Sequence, residues 1–206
     1  MRRQCACGAP AAFAALALLL LAAPARGAAD GLAPLPPMAW RSWNAFGNGI
    51  SDAVIRAQAD GLVNRSRGGV SLLDVGYVNL GIDEGWEGCG QGVNKTQHTA
   101  YGWPVVDTQK FPDMNATASY IRSKGLTAGW YENGCACGEP VEELINYEGD
   151  VAELLATGFA ALKLDSCGSQ KNLSLYYDIV NRTAPAPILI ENCHQGGDPP
   201  RSDGWW

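Results

Sequence analysis

Residues 158–167, GFAALKLDSC, read as a short buried strand whose charges, Lys163 and Asp165, fall at its far end. Residues two apart on a strand point to the same side. The lysine and the carboxylate therefore share one face where an apolar run stops. A pair so placed is either a buried structural ion pair or a reactive group at the mouth of a sheet.

Outward from this stretch the chain repeats one pattern. Residues 142–157 read as a helix closed by Gly158, and 172–181 as another. An apolar run at 187–190 leads into Glu191 and Asn192, and one at 126–131 into Glu132 and Asn133. Further back, 74–82 reads as a strand ending on Asp83 and Glu84. Before it, MAWRSWNAFG at 38–47 is an apolar, aromatic segment with a polar end. Ser51 is placed to cap a helix over 52–64, and Thr117 or Ser119 to start one that Gly125 stops. Asp113 reads as a turn or helix-entry residue.

Strands alternating with helices at roughly 25 to 50 residues are the pattern of βα units and a parallel sheet. Each strand ends in polar, mostly acidic residues, and in a parallel α/β protein those ends share the face that binds and reacts. No glycine-rich phosphate loop follows any strand, so a (β/α)8 TIM barrel fits better than a nucleotide-binding sheet. It is incomplete: a whole barrel takes about 250 residues, and this chain of 206 shows about five βα units.

Composition narrows the function. A net charge of -6 argues against nucleic acid or an anionic membrane as partner. Arg2 and Arg3, an apolar run and small residues up to 29 form the pattern of a cleaved secretory signal, leaving 30–206 as barrel and no membrane anchor. Sequons at Asn64, Asn94, Asn115, Asn172 and Asn181 fit a glycosylated protein that is secreted or sent to a lysosome or vacuole. The two histidines, His98 and His194, lie far apart without ligand-spaced partners, so a metal site is not expected. A homodimer stays open. Strand-end carboxylates, many aromatic residues and a secretory address together suggest a carbohydrate ligand. Asp165 beside Lys163 suits a glycosidase nucleophile, because a neighbouring cation favours the ionised carboxylate.

Five motifs then occur in order: PPMAWRSWNAFG at 36–47, YVNLGIDEGW at 77–86, KFPD at 110–113, SKGLTAGWYENG at 123–134 and LKLDSCG at 162–168. Together they resemble glycoside hydrolase family 27, the α-galactosidase and α-N-acetylgalactosaminidase family. The resemblance implies a retaining exo-glycosidase on a (β/α)8 barrel, without metal or cofactor. It makes Asp165 the nucleophile and gives Lys163, Asp83 and Glu84 contacts to sugar hydroxyls. Trp40 would line the pocket floor and Tyr131 would stand beside the nucleophile. The family's acid/base aspartate lies past the fifth strand, in a motif the chain does not reach, so this fragment alone is expected to be inactive.

Three departures from the family pattern bear on specificity. Glu84 stands where the family usually has aspartate, Gly85 replaces a cysteine, and Glu191-Asn192-Cys193 replaces the run that reads the group at C2 of the sugar. Galactose therefore has rivals: α-N-acetylgalactosaminide or β-L-arabinopyranoside specificity, or a barrel that binds sugar without cleaving it. The resemblance also implies a bridge from Cys167 to Cys135 or, second, Cys137, with Cys89 taking the remaining cysteine and Cys193 unpaired. Plainer readings stand beside these roles: core packing for Trp40, and a solvated loop carboxylate or a substrate contact for Glu132.

Overall fold

A computed structural model describes residues 36–139, 143–170, 172–193 and 204–205. The segment 1–29 expected to be a secretory signal, Glu142 and His194 lie outside the described residues. Six strands form one sheet in sequence order, every neighbouring pair parallel. They are β1 (Ala39–Arg41), β2 (Asn79–Gly81), β3 (Thr127–Gly134), β4 (Ala161–Gly168), β5 (Leu189–Cys193) and β6 (Gly204–Trp205). Among the described residues the helices are α1 (Trp43–Phe46), α2 (Asp52–Val63), α3 (Met114–Ser123), α4 (Leu144–Thr157) and α5 (Leu173–Thr183).

Local chemistry explains the helix ends. The Ser51 hydroxyl accepts from the Val54 N–H and the Asn172 side chain from the Leu175 N–H, capping α2 and α5. Gly158 closes α4 at φ 81°, a left-handed conformation that costs glycine little. Asp113 caps α3 by accepting from the Ala116 N–H at 2.8 Å, so that helix starts before Thr117 and Ser119. Thr117 instead turns its hydroxyl to Asp52, 2.5 Å away.

The second strand is shorter than its apolar run suggests. Residues 73–75 form a 3-10 turn in which Asp74 accepts from Arg65 and from the Ser71 N–H, and pairing begins only at Asn79. The sixth strand was not anticipated, because two residues carry no readable alternation.

Side-chain alternation sorts the sheet into two faces. Leu80, Trp130, Leu162, Leu164 and Ile190 point to the helices and join one buried core with Ile55, Ile121, Leu154 and Tyr176. Trp86 packs on Trp130 at 4.4 Å between ring centroids, and Phe159 meets Trp130 edge-on. The opposite face carries Arg41, Tyr131, Lys163, Asp165 and Glu191.

That face is concave. In a flat sheet β1 and β5 would lie roughly 19 Å apart, beyond any arginine's reach, yet Arg41 bonds to Glu191 at 2.7 Å. The sheet therefore curls into part of a barrel, the incomplete (β/α) barrel expected from the sequence. No described helix is long and apolar enough to cross a membrane.

Candidate active site

Parallel pairing brings the C-terminal ends of β2, β3 and β4 together on the concave face. Lys163 donates to Asp83 Oδ2 at 2.7 Å, and its ammonium lies 3.6 Å from Asp165 Oδ2. The Tyr131 hydroxyl donates to Asp165 Oδ2 at 3.0 Å and accepts from Asn133 Nδ2 at 2.9 Å. Burial raises the Tyr131 phenol far above its ordinary value, with Asp165 and Asp83 adding to the effect, so it remains a donor. Lys163 also sits 4.9 Å over the Tyr131 ring.

Asp83 is anchored through its backbone, whose N–H donates to Ser42 Oγ, and it accepts from the Glu84 N–H. Burial raises the Glu84 carboxyl above the usual range, and the negative charges of Asp83 and Asp165 push the same way. Asp165 is the more open of the paired groups, with its side chain 29% exposed against 2% for Asp83. A carboxylate held by a phenol and an ammonium, and still reachable, is arranged to attack an electrophile.

A cleft of about 230 Å³ opens on Asp83 and Lys163 of this cluster and is lined as well by Ala39, Arg41, Trp43, Asn44, Glu191 and Cys193. Trp40 does not line it. Arg41 faces the bore, so its neighbour on the strand points the other way, and Trp40 packs on the helix-side core and against Phe46 at 6.2 Å. Trp43, at the start of α1 and 46% exposed, is the aromatic residue of the cleft. Strand β1 has three residues, too few for its alternation to be read from sequence, and that hid the exchange.

Two other carboxylates differ from expectation. Glu132 neither faces the cleft nor meets solvent: it is 1% exposed on the helix side, accepting from Trp130 Nε1 at 2.6 Å and Gln97 Nε2 at 3.3 Å. Burial lifts its carboxyl well above the usual range. Glu191 does line the cleft, but Oε2 is taken by Arg41, from Nε at 3.1 Å and from a terminal nitrogen at 2.7 Å. Arg41 was missed as a site residue; the signal for it was a charged side chain within a short apolar strand.

Disulfides fix the rim. Cys135 pairs with Cys167, tying the residue that follows β3 to the end of β4 two residues past Asp165, and Cys137 pairs with Cys89 of the long excursion after β2. Cys193 is a free thiol whose register partner is Asp165, and burial and that carboxylate raise its pKa. Beneath the rim His98 sits between Glu139 at 2.8 Å and Asp150 at 2.7 Å. Burial alone would lower its pKa, but the two hydrogen bonds outweigh it and hold the imidazole at about 10. Asp150 also accepts from Gln170 and Tyr176, each at 2.6 Å, and burial still raises its carboxyl. Among the described residues no cluster is suited to a metal ion.

The curled parallel sheet with a charged cleft at its strand ends defines part of a barrel of the kind that carries enzyme sites. Comparison with known proteins narrows the class. No family model matches the chain. A probable alpha-galactosidase B of Penicillium simplicissimum is 35% identical over 154 residues, 72% of this chain and 32% of the relative. The crystal structure of alpha-galactosidase I from Mortierella vinacea is 28% identical with a TM-score of 0.63, covering 81% of this chain and 42% of that one. A GH27 β-L-arabinopyranosidase from Geobacillus stearothermophilus shares the fold at 14% identity and a TM-score of 0.64, over 82% of this chain and 52% of that one. The chain is thus similar to α-galactosidases, and it spans well under two thirds of the length of these relatives.

Proposed function

We propose that the chain carries the nucleophile half of a retaining exo-glycosidase that removes terminal α-linked galactose. The observation that carries this reading is Asp165 at the C-terminal end of β4, addressed by Tyr131 and Lys163 and partly exposed beside the cleft. In the first step an Asp165 oxygen bonds to the anomeric carbon. The bond to the leaving oxygen breaks, and its electron pair goes to that oxygen. With an ordinary sugar leaving group that oxygen also needs a proton, for which no described residue is assigned. Water then bonds to the anomeric carbon and gives up a proton to solvent, while the bond from that carbon to Asp165 breaks with its electron pair and returns a carboxylate.

Asp83, Lys163 and Glu84 converge where hydroxyls of the sugar would lie, and Trp43 offers an aromatic face beside them. The likeness to a β-L-arabinopyranosidase favours a second specificity, since the two sugars share ring configuration and differ in the C5 substituent. Secretory routing is supported by the five sequon asparagines, all exposed.

The test uses dinitrophenyl glycosides, whose leaving group needs no proton. A burst of one equivalent of dinitrophenolate from the α-galactoside, lost in Asp165→Ala, is expected. A larger burst from the β-L-arabinopyranoside or the α-N-acetylgalactosaminide would reassign the specificity. A folded chain that gives no burst with any of the three would leave a binding barrel rather than an enzyme.

A further inference from the structure

Arg41 occupies a place that three strands make for it. Its register partners across the sheet are Gly81 on β2 and then, one strand further, Gly129 on β3. A Cβ at Gly81 would stand 2.6 Å from the guanidinium carbon, and one at Gly129 3.6 Å from a terminal nitrogen. Any side chain at Gly81 would thus overlap the guanidinium, which crosses the floor of the bore over these two glycines. It gives one nitrogen to the Ile82 carbonyl at 2.6 Å and two to Glu191 Oε2.

The next level of the bore explains what this crossing does. Tyr131, Lys163 and Glu191 are register neighbours on β3, β4 and β5. Glu191 is therefore the carboxylate on the strand next to Lys163, at the same height and on the same face. Yet Lys163 bonds to Asp83, two strands away in the other direction, and stands 3.6 Å from Asp165. Both Lys163 and Glu191 are under 10% exposed, so neither is well screened by water. Two buried opposite charges on adjacent strands attract strongly unless one of them is already neutralised.

We propose that Arg41 is a positioning residue for Asp165: by holding Glu191 across the bore it keeps Lys163 with Asp83 and beside Asp165. The inference rests on Asp165 being the nucleophile. Without Arg41, Glu191 would be a buried carboxylate lacking its cation, and Lys163 is the ammonium next to it. The lysine would swing to β5, Asp83 would lose its ammonium donor along with the Arg41 guanidinium 4.0 Å away, and Asp165 would lose the adjacent positive charge.

The test labels the full chain with 5-fluoro-α-galactosyl fluoride, whose fluoride departs with the bonding electron pair and needs no acid. Arg41→Met should lower the labelling rate constant about tenfold or more, because the positive charge beside the reacting carboxylate is lost. Arg41→Met with Glu191→Gln should label at least about fivefold faster than Arg41→Met alone, because the competing charge is gone. A crystal structure of Arg41→Met should show the Lys163 ammonium moved from Asp83 to Glu191. Parent-like labelling by a folded Arg41→Met, or a double variant as slow as the single one, overturns the proposal. Should Arg41→Met not fold, Arg41→Lys carries the test: it keeps a cation without the two-nitrogen grip and should fall between parent and Arg41→Met. If the parent labels at a residue other than Asp165, the nucleophile reading fails, and the Lys163 position in the Arg41→Met crystal then decides the charge argument by itself.

Discussion

Replacing His98 with glutamine should remove a pH dependence from the stability of the chain. The imidazole is 2% exposed and lies between the carboxylates of Glu139 and Asp150, with Glu132 also close enough to favour its charge. Its pKa is raised from 6.5 to about 10. The folded state therefore keeps a proton that the unfolded chain gives up at lower pH. Stability from this group is fully present below pH 6.5 and is lost as pH rises towards 10, by about 1.4 kcal/mol per pH unit. The full span is worth about 5 kcal/mol at most, shared with Asp150, whose carboxyl burial also raises. Glu87, raised to about 7 by burial, acts in the same direction but mostly below this window.

Urea unfolding of parent and His98→Gln at pH 6.5, 8 and 9.5 measures the effect. The parent should lose most of this increment across the series. The variant should start about 3 to 5 kcal/mol lower at pH 6.5, because two buried carboxylates lose their cation, and then change little. Equal pH slopes for the two proteins would refute the reasoning.

Two further outcomes follow from the same geometry. Removing the Cys135–Cys167 bridge by paired serine substitutions frees a span of 32 residues and should cost about 4 kcal/mol in urea unfolding; labelling of Asp165 should slow as well, since the bridge holds the end of the strand that carries it. Tyr131→Phe removes the phenol that donates to Asp165 and should slow labelling by about tenfold or more, at unchanged stability within about 1 kcal/mol.

What could be read from sequence was whatever repeats locally. Apolar runs ending in acidic residues located β3, β4 and β5 and put Asp83, Lys163 and Asp165 at one end of a parallel sheet. Ser51 as a cap placed the start of α2, and Gly158 the end of α4. Features that depend on distant partners were not legible. Arg41 and Glu191 meet across 150 residues, and His98 meets Asp150 across 52, with nothing in either neighbourhood to announce the other. Short elements also failed. Three residues of β1 do not reveal which of Trp40 and Arg41 faces inward, and Glu132 was misplaced because the strand runs on through it to Gly134. The motifs carried Asp165 directly, whereas the arginine that organises its surroundings lies inside the first motif without standing out from it.

The most direct test of the central claim is the site of covalent attachment after exposure to 5-fluoro-α-galactosyl fluoride. Peptide mass spectrometry should find one fluoro-galactosyl group per chain, on the peptide containing Asp165 and on that residue by fragmentation. A folded chain that takes up no label, or takes it on another residue, would contradict the assignment of Asp165 as the nucleophile.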